Sequence, residues 1–93
     1  MQIRFYFDEE RNQPHIQNHG VSENEAKEVL LQPGEDRPAN NGARMAIGKT
    51  LSGRLLRVIY VPDSEDNSIF VITAYSLTPK QSKAYRRRRR KSK

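Results

Sequence analysis

Cysteine is absent from the 93-residue sequence. That excludes a disulfide framework, a thiol nucleophile and any zinc site built on thiolates. Long hydrophobic runs are missing as well: nothing approaches the ~20 consecutive apolar residues of a membrane-spanning helix. The opening stretch, MQIRFYFDEE, alternates and then turns acidic, unlike a signal peptide, so a cytoplasmic location without a membrane partner is expected. Acidic residues are lacking from Lys80 onward, where nine of the 17 basic residues lie. The other 8 basic residues share residues 1–79 with all 11 acidic ones. The formal charge of +6 is therefore the balance of a mildly acidic body and a basic tail ending AYRRRRRKSK.

What is present fits one small domain. A chain of this length buries roughly 60–65% of its unfolded surface, enough for one sheet and two or so helices. In QIRFYFD, Ile3, Phe5 and Phe7 alternate with Gln2, Arg4 and Tyr6, the pattern of a half-buried strand. A polar connection follows, with a helical turn expected over 14–19 and ended by Gly20. SENEAKEVLLQPG predicts a helix over 22–32. Ser22 and Glu25 form an S-x-x-E capping box, Ala26, Val29 and Leu30 an apolar stripe, and Pro33-Gly34 the stop.

EDRPANNG reads as a loop. ARMAIGKT and RLLRVIYV read as an antiparallel hairpin turning at Leu51-Ser52-Gly53, and SIFVITAYS, after a turn at PDSEDN, as a last strand. Thr78, Pro79 and Gln81 mark the start of a second helix that runs into the arginines. The expected fold is α+β: a mainly antiparallel four-stranded sheet, a helix after the first strand, and a basic C-terminal helix. The expected organisation is one domain over 1–85 and a polybasic extension over 86–93. Strand alternation puts the first helix on a Phe5/Ile72 face. The other face would display Arg4, Tyr6, Arg44, Arg57, Thr73 and Tyr75, cations and aromatics suited to phosphates and unstacked bases.

Three segments, NHGVSENEAKEVL (18–30), AIGKTLSGRLLRVIYV (46–61) and VITAYSLTPKQSKAYRR (71–87), together resemble the BrnT-like toxins of type II toxin–antitoxin systems, within the wider RelE-like group of small ribonucleases. The similarity rests on the His-Gly-Val entry to a helix, the Gly-x-Thr-x-x-Gly-Arg-Leu-Leu hairpin, and a strand ending in Ala before a basic helix. It implies a compact α+β ribonuclease that cleaves RNA without a cofactor and is neutralised by a small antitoxin. Those toxins tend to end the last strand in Ala-Arg; this chain has Ala74-Tyr75.

Cleavage of RNA without a metal needs a base for the 2′-hydroxyl, a cation for the phosphate and an acid for the leaving oxygen. His15 and His19, four residues apart, share a face if 14–19 is helical, and imidazole as a class titrates near neutrality. The H-x-x-x-H spacing also suits zinc, but the metalloprotease form needs Glu after the first His, and Ile16 stands there; no metal site is expected. Arg57, which interrupts an apolar strand, would stabilise the phosphate, and Tyr75 would position a proton or stack on a base. The expected catalytic group is therefore His15, His19, Arg57 and Tyr75. The expected RNA contacts are Arg44, Lys49, Lys80, Lys83, Tyr85, Arg86, Arg87, Arg88, Arg89 and Arg90. The partners implied are RNA, a small antitoxin and the ribosome. The alternative is a non-catalytic RNA- or ribosome-binding module using the same sheet face and basic helix.

Overall fold

The computed structural model describes residues 2–63 and 65–91. Ser64, in the expected turn, and the last two residues of the expected 86–93 extension lie outside them. The order is β1 (Gln2–Phe5), β2 (Phe7–Asp8), β3 (Gln13–Pro14), a 3-10 helix (His15–His19) and α1 (Glu23–Leu31). Then come β4 (Glu35–Pro38), a 3-10 turn (Asn40–Gly42), β5 (Arg44–Lys49), β6 (Leu55–Asp63), β7 (Ser68–Ser76) and α2 (Pro79–Lys91). A five-stranded sheet runs β1-β7-β6-β5-β4, and β2-β3 form a separate two-stranded ribbon. All pairings are antiparallel except β1 with β7, which is parallel.

The α+β class and the mostly antiparallel sheet are as expected; the strand count is not. The fifth strand, β4, comes from EDRPANNG, read above as a loop. Its residues are charged and mostly exposed, and it carries Pro38 at its end. Such a composition suits an outer strand, where charge and proline blunt the open edge. It also hides the strand from any reading based on apolar alternation.

Both helices begin where capping chemistry puts them. Ser22 Oγ accepts from the Glu25 amide at 3.1 Å while the Ser22 amide donates to Glu25 Oε1 at 3.0 Å. Thr78 and Gln81 repeat the box before α2, at 3.1 and 2.9 Å. Each cap contributes about 1 kcal/mol. From α1, Ala26 and Val29 are fully buried and Leu30 packs at the margin. Val29 alone contributes roughly 1.5–3 kcal/mol by leaving water. They meet Ala46, Leu56, Val58, Tyr60, Val71 and Ala74 on the sheet, with Ile3 and Phe5 at the edge.

Strand parity is where expectation and structure diverge. Ile59 pairs with Thr73 but Tyr60 with Val71, so Ile72 is an extra residue on β7, a β-bulge. Ile69, Val71 and Ala74 consequently share the α1 face. Phe5 is on that face as expected, but Ile72 is not part of its core. α2 lies over the opposite face at the β4–β5 side of the sheet. Its Tyr85 is buried against Gly34, where a Cβ would overlap the phenol hydroxyl and sit 2.9 Å from Cζ. The Gly34 amide donates to the Ile47 carbonyl at 2.8 Å, closing the layer beneath the ring.

Candidate active site on the open sheet face

Beyond the reach of α2, the second sheet face carries a run of rings and cations drawn from separate elements. The Arg4 guanidinium lies 5.7 Å from the Phe70 ring, and Phe70 meets Tyr6 edge-on at 6.5 Å. Tyr6 is 5.8 Å from His15, His15 5.2 Å from His19, and His19 6.1 Å from Tyr75. Arg57 closes the series with its guanidinium 5.9 Å from the Tyr75 ring. Thus His15, His19, Tyr75 and Arg57, chosen from sequence as catalytic candidates, come together from a 3-10 helix and two strands.

Local chemistry explains the placement. β1 stops pairing at Phe5, and the Tyr6 amide still donates to the Val71 carbonyl at 2.8 Å. The chain then makes the β2-β3 ribbon and returns with the His15 amide on the Tyr6 carbonyl, 2.8 Å. The 3-10 helix packs against β7, buries Ile16 in the α1-side core, and leaves both imidazoles toward the open face. Gly20 ends it in the left-handed region at φ 72°. The bulge at Ile72 puts Tyr75 on this face, opposite Ala74 and in register with Arg57. Arg57 Nε is buried and has no hydrogen-bond acceptor among the described residues.

A second arginine holds the frame. Arg54 donates from NH1 to both Glu25 oxygens at 3.1 Å and to the Gly20 carbonyl at 2.9 Å. Its Nε donates to Ser76 Oγ at 2.9 Å. One side chain therefore joins the hairpin turn, the N-terminus of α1, the residue after His19 and the end of β7. The Ser22 amide first, then Arg54, hold the Glu25 carboxyl below the usual carboxylate range.

Behind His15 is a polar cluster. Asn18 Nδ2 lies 2.8 Å from Asp8 Oδ2 and 3.4 Å from His15 Nδ1, while Asn18 Oδ1 accepts from Gln13 Nε2 at 2.7 Å. Asp8 also accepts from Arg11 NH1 at 3.1 Å and from the Glu10 amide at 3.0 Å. The Asn18 hydrogen bond, ahead of those from Arg11, holds the Asp8 carboxyl below its ordinary range. Neither Arg54 nor the Asp8–Asn18 pair stood out in the sequence. Their partners lie up to 34 residues away, and no local pattern announces them.

The expected RNA contacts do not all share one surface. Lys49, Arg86, Arg89 and Arg90 line a groove of ≈ 490 Å³ with Leu55 and Tyr85, between α2 and the β5-β6 hairpin. Leu55 is two residues from Arg57 on the same strand, so this groove leads toward the ring series. Lys80, Lys83 and Arg87 are exposed along α2. Arg44 differs: it pairs in register with Tyr60 on the α1 face and donates from Nε to Asp36 Oδ1 at 3.0 Å. It therefore does not share a face with Arg57, because the two are an odd number of residues apart along paired strands. Tyr85 is buried as the anchor of α2, and its ring forms the groove floor. Arg88 is engaged by Glu35, and Arg89 donates to the Gly34 carbonyl at 2.7 Å, so the arginine run is in part a packing surface. Among the described residues no group of three or more His, Asp or Glu could hold a metal ion. No helix there is long and apolar enough to cross a membrane.

No protein-family model and no curated protein sequence matches the chain. Among solved structures it is similar to the Brucella abortus ribonuclease toxin, BrnT, determined at 1.1 Å resolution. The TM-score is 0.63 at 24% identity, over 84% of this chain and 99% of that one. The similarity bears out the resemblance to BrnT-like toxins at the level of the fold.

Proposed function

We propose that this chain, whose fold is that of a ribonuclease toxin, is a metal-independent endoribonuclease of a type II toxin–antitoxin pair. The observation that carries the reading is the convergence of His15, His19, Tyr75 and Arg57 on one open face, at the end of a basic groove. In this mechanism the groove takes the RNA backbone through Lys49, Arg86 and Arg90. The 2′-oxygen attacks the adjacent phosphorus as its proton passes to an imidazole of the pair. Arg57, with a buried donor to spare, carries charge on the phosphoryl oxygens as they crowd. The P–O5′ bond breaks, and the departing oxygen takes a proton from the Tyr75 hydroxyl, which solvent restores. A 2′,3′-cyclic phosphate and a free 5′-hydroxyl result. Residues 1–85 serve as the catalytic domain and the 86–93 extension as an electrostatic guide, working in the cytoplasm on free or ribosome-bound RNA under the control of a small antitoxin.

The test is cleavage of a labelled RNA in EDTA, with the ends of the products identified. Expected are 2′,3′-cyclic phosphate termini and a loss of ~100-fold or more for His19→Ala. Wild-type protein that leaves RNA intact would overturn the reading. A second reading, a binding module without chemistry, is favoured by the exposed Tyr6 ring and by Tyr75 where the BrnT-like pattern has Arg. Tight RNA binding without cleavage would select it.

A further inference from the structure

We infer that Asn18 fixes the tautomer of His15, so that this imidazole meets RNA as a neutral Nε2–H donor and proton abstraction falls to His19. The division of labour rests on the ribonuclease reading; the tautomer does not.

Asp8, an ionised carboxylate, can only accept, so the Asn18 group 2.8 Å from it is the amide NH2. The opposite end of the Asn18 amide accepts from Gln13 Nε2 at 2.7 Å, consistent with that orientation. The NH2 nitrogen has a second hydrogen, and His15 Nδ1 lies 3.4 Å from it. Nδ1 must then be bare, and a neutral imidazole with a bare Nδ1 holds its proton on Nε2. Protonating Nδ1 would set one N–H against another. Asp8 is itself fixed by Arg11 and two backbone amides, so the amide cannot easily turn over. The other titratable groups near His15 are His19 at 5.2 Å, Tyr6 at 5.8 Å, and Glu9 and Glu10, which line a pocket with it; none hydrogen-bonds to its ring among the described residues. Among the described residues His19 has no such amide behind it. A donor with no lone pair to offer on its free side cannot take the 2′-hydroxyl proton, but it can hydrogen-bond to a phosphoryl oxygen.

The experiment reads the tautomers directly, by long-range ¹H–¹⁵N correlation on the full ¹⁵N-labelled chain without RNA, at a pH where both imidazoles are neutral. His15→Gln assigns the signals. In the wild type His15 should show one tautomer, with Nδ1 at the shift of a bare nitrogen and Nε2 at that of a protonated one. Asn18→Leu should lose this preference and give a mixture; should it fail to fold, Asp8→Asn, which frees the amide to turn over, should weaken the preference in the same way. A protonated Nδ1 in the wild type, or an unchanged tautomer in a folded Asn18→Leu, would overturn the inference. A locked tautomer without cleavage would remove the ribonuclease reading and leave the lock standing. Cleavage by a protein with unlocked His15 would do the reverse.

Discussion

Arg88 and Glu35, 53 residues apart, meet fork to fork: Nε lies 2.6 Å from Oε2 and NH2 3.1 Å from Oε1. The pair ties the basic helix to the outer strand of the sheet. The hydrogen bond from Arg88 holds the Glu35 carboxyl below its ordinary range, against the opposing effect of burial. A depressed carboxyl stabilises the fold above its unfolded value, about 4.3, and the contribution is lost as pH falls through the folded value. Glu35→Gln should therefore narrow the gap between melting temperatures at neutral pH and in acid. Because the Arg88 side chain is 40% exposed, the cost at neutral pH should be about 1 kcal/mol or less. Thermal melts of both proteins across the acid range check this.

Gly34 should not tolerate a side chain. Its Cβ would overlap the Tyr85 hydroxyl and approach Cζ to 2.9 Å, and Tyr85 is held from behind by its own helix. Gly34→Ala should destabilise by about 1–3 kcal/mol, the range for overpacking. Combining it with Tyr85→Ala should cost less than the sum of the two, because the clash vanishes with the ring. Urea denaturation of the cycle measures the coupling.

Cutting after Tyr85 removes seven positive charges, the five arginines with Lys91 and Lys93, and should abolish most RNA affinity while the domain stays folded. The contacts of Arg88 and Arg89 with the body mean that the same cut should also lower the melting temperature. Replacing Arg86, Arg87 and Arg90 by Gln separates the effects. If all three contact phosphates, the log–log salt slope should fall by ~2 units, at about 0.7 per contact on a single strand. Equal slopes for variant and wild type would place the RNA elsewhere.

Arg57→Leu should lower kcat more than it raises KM, since a contact made to the crowded phosphate appears chiefly in the rate. A loss of about 10²–10³-fold is the scale for one such donor. Tyr75→Arg, which puts into this chain the residue that BrnT-like toxins tend to have there, should lower cleavage, because the hydroxyl that protonates the leaving oxygen is lost; a rise would assign that proton to another group. Single-turnover assays on one RNA compare all three proteins.

The features legible in sequence were those written within a few residues of themselves. Ser22–Glu25 and Thr78–Gln81 announce their helices because a cap and its partner are three positions apart. His15 and His19 could be paired because a helical turn sets their spacing. What crosses the sheet was hidden. β4 is charged enough to pass for a loop, and it becomes a strand only because β5 offers it a partner. Arg44 and Arg57 look equivalent in composition, yet the hairpin register puts them on opposite faces. Arg54 was visible only as part of a Gly-Arg-Leu-Leu string, and its four acceptors are brought to it by the fold.

The extra residue on β7 has a consequence for how such chains diverge. Ile69 and Val71 point at α1; were β7 regular through Ile72, the same alternation would bring Thr73 and Tyr75 to that side and turn Ala74 outward. The strand thus behaves as two rulers joined half a graduation out of step, the first calibrated to the hydrophobic layer and the second to the chemistry. Losing the codon for Ile72 would straighten the strand and keep both rulers' faces; flattening the bulge with Ile72 retained would exchange the second ruler's faces without altering one residue of the site. An alignment would show no gap for that flattening, yet it would bury the Tyr75 ring and leave Arg57 facing a methyl group.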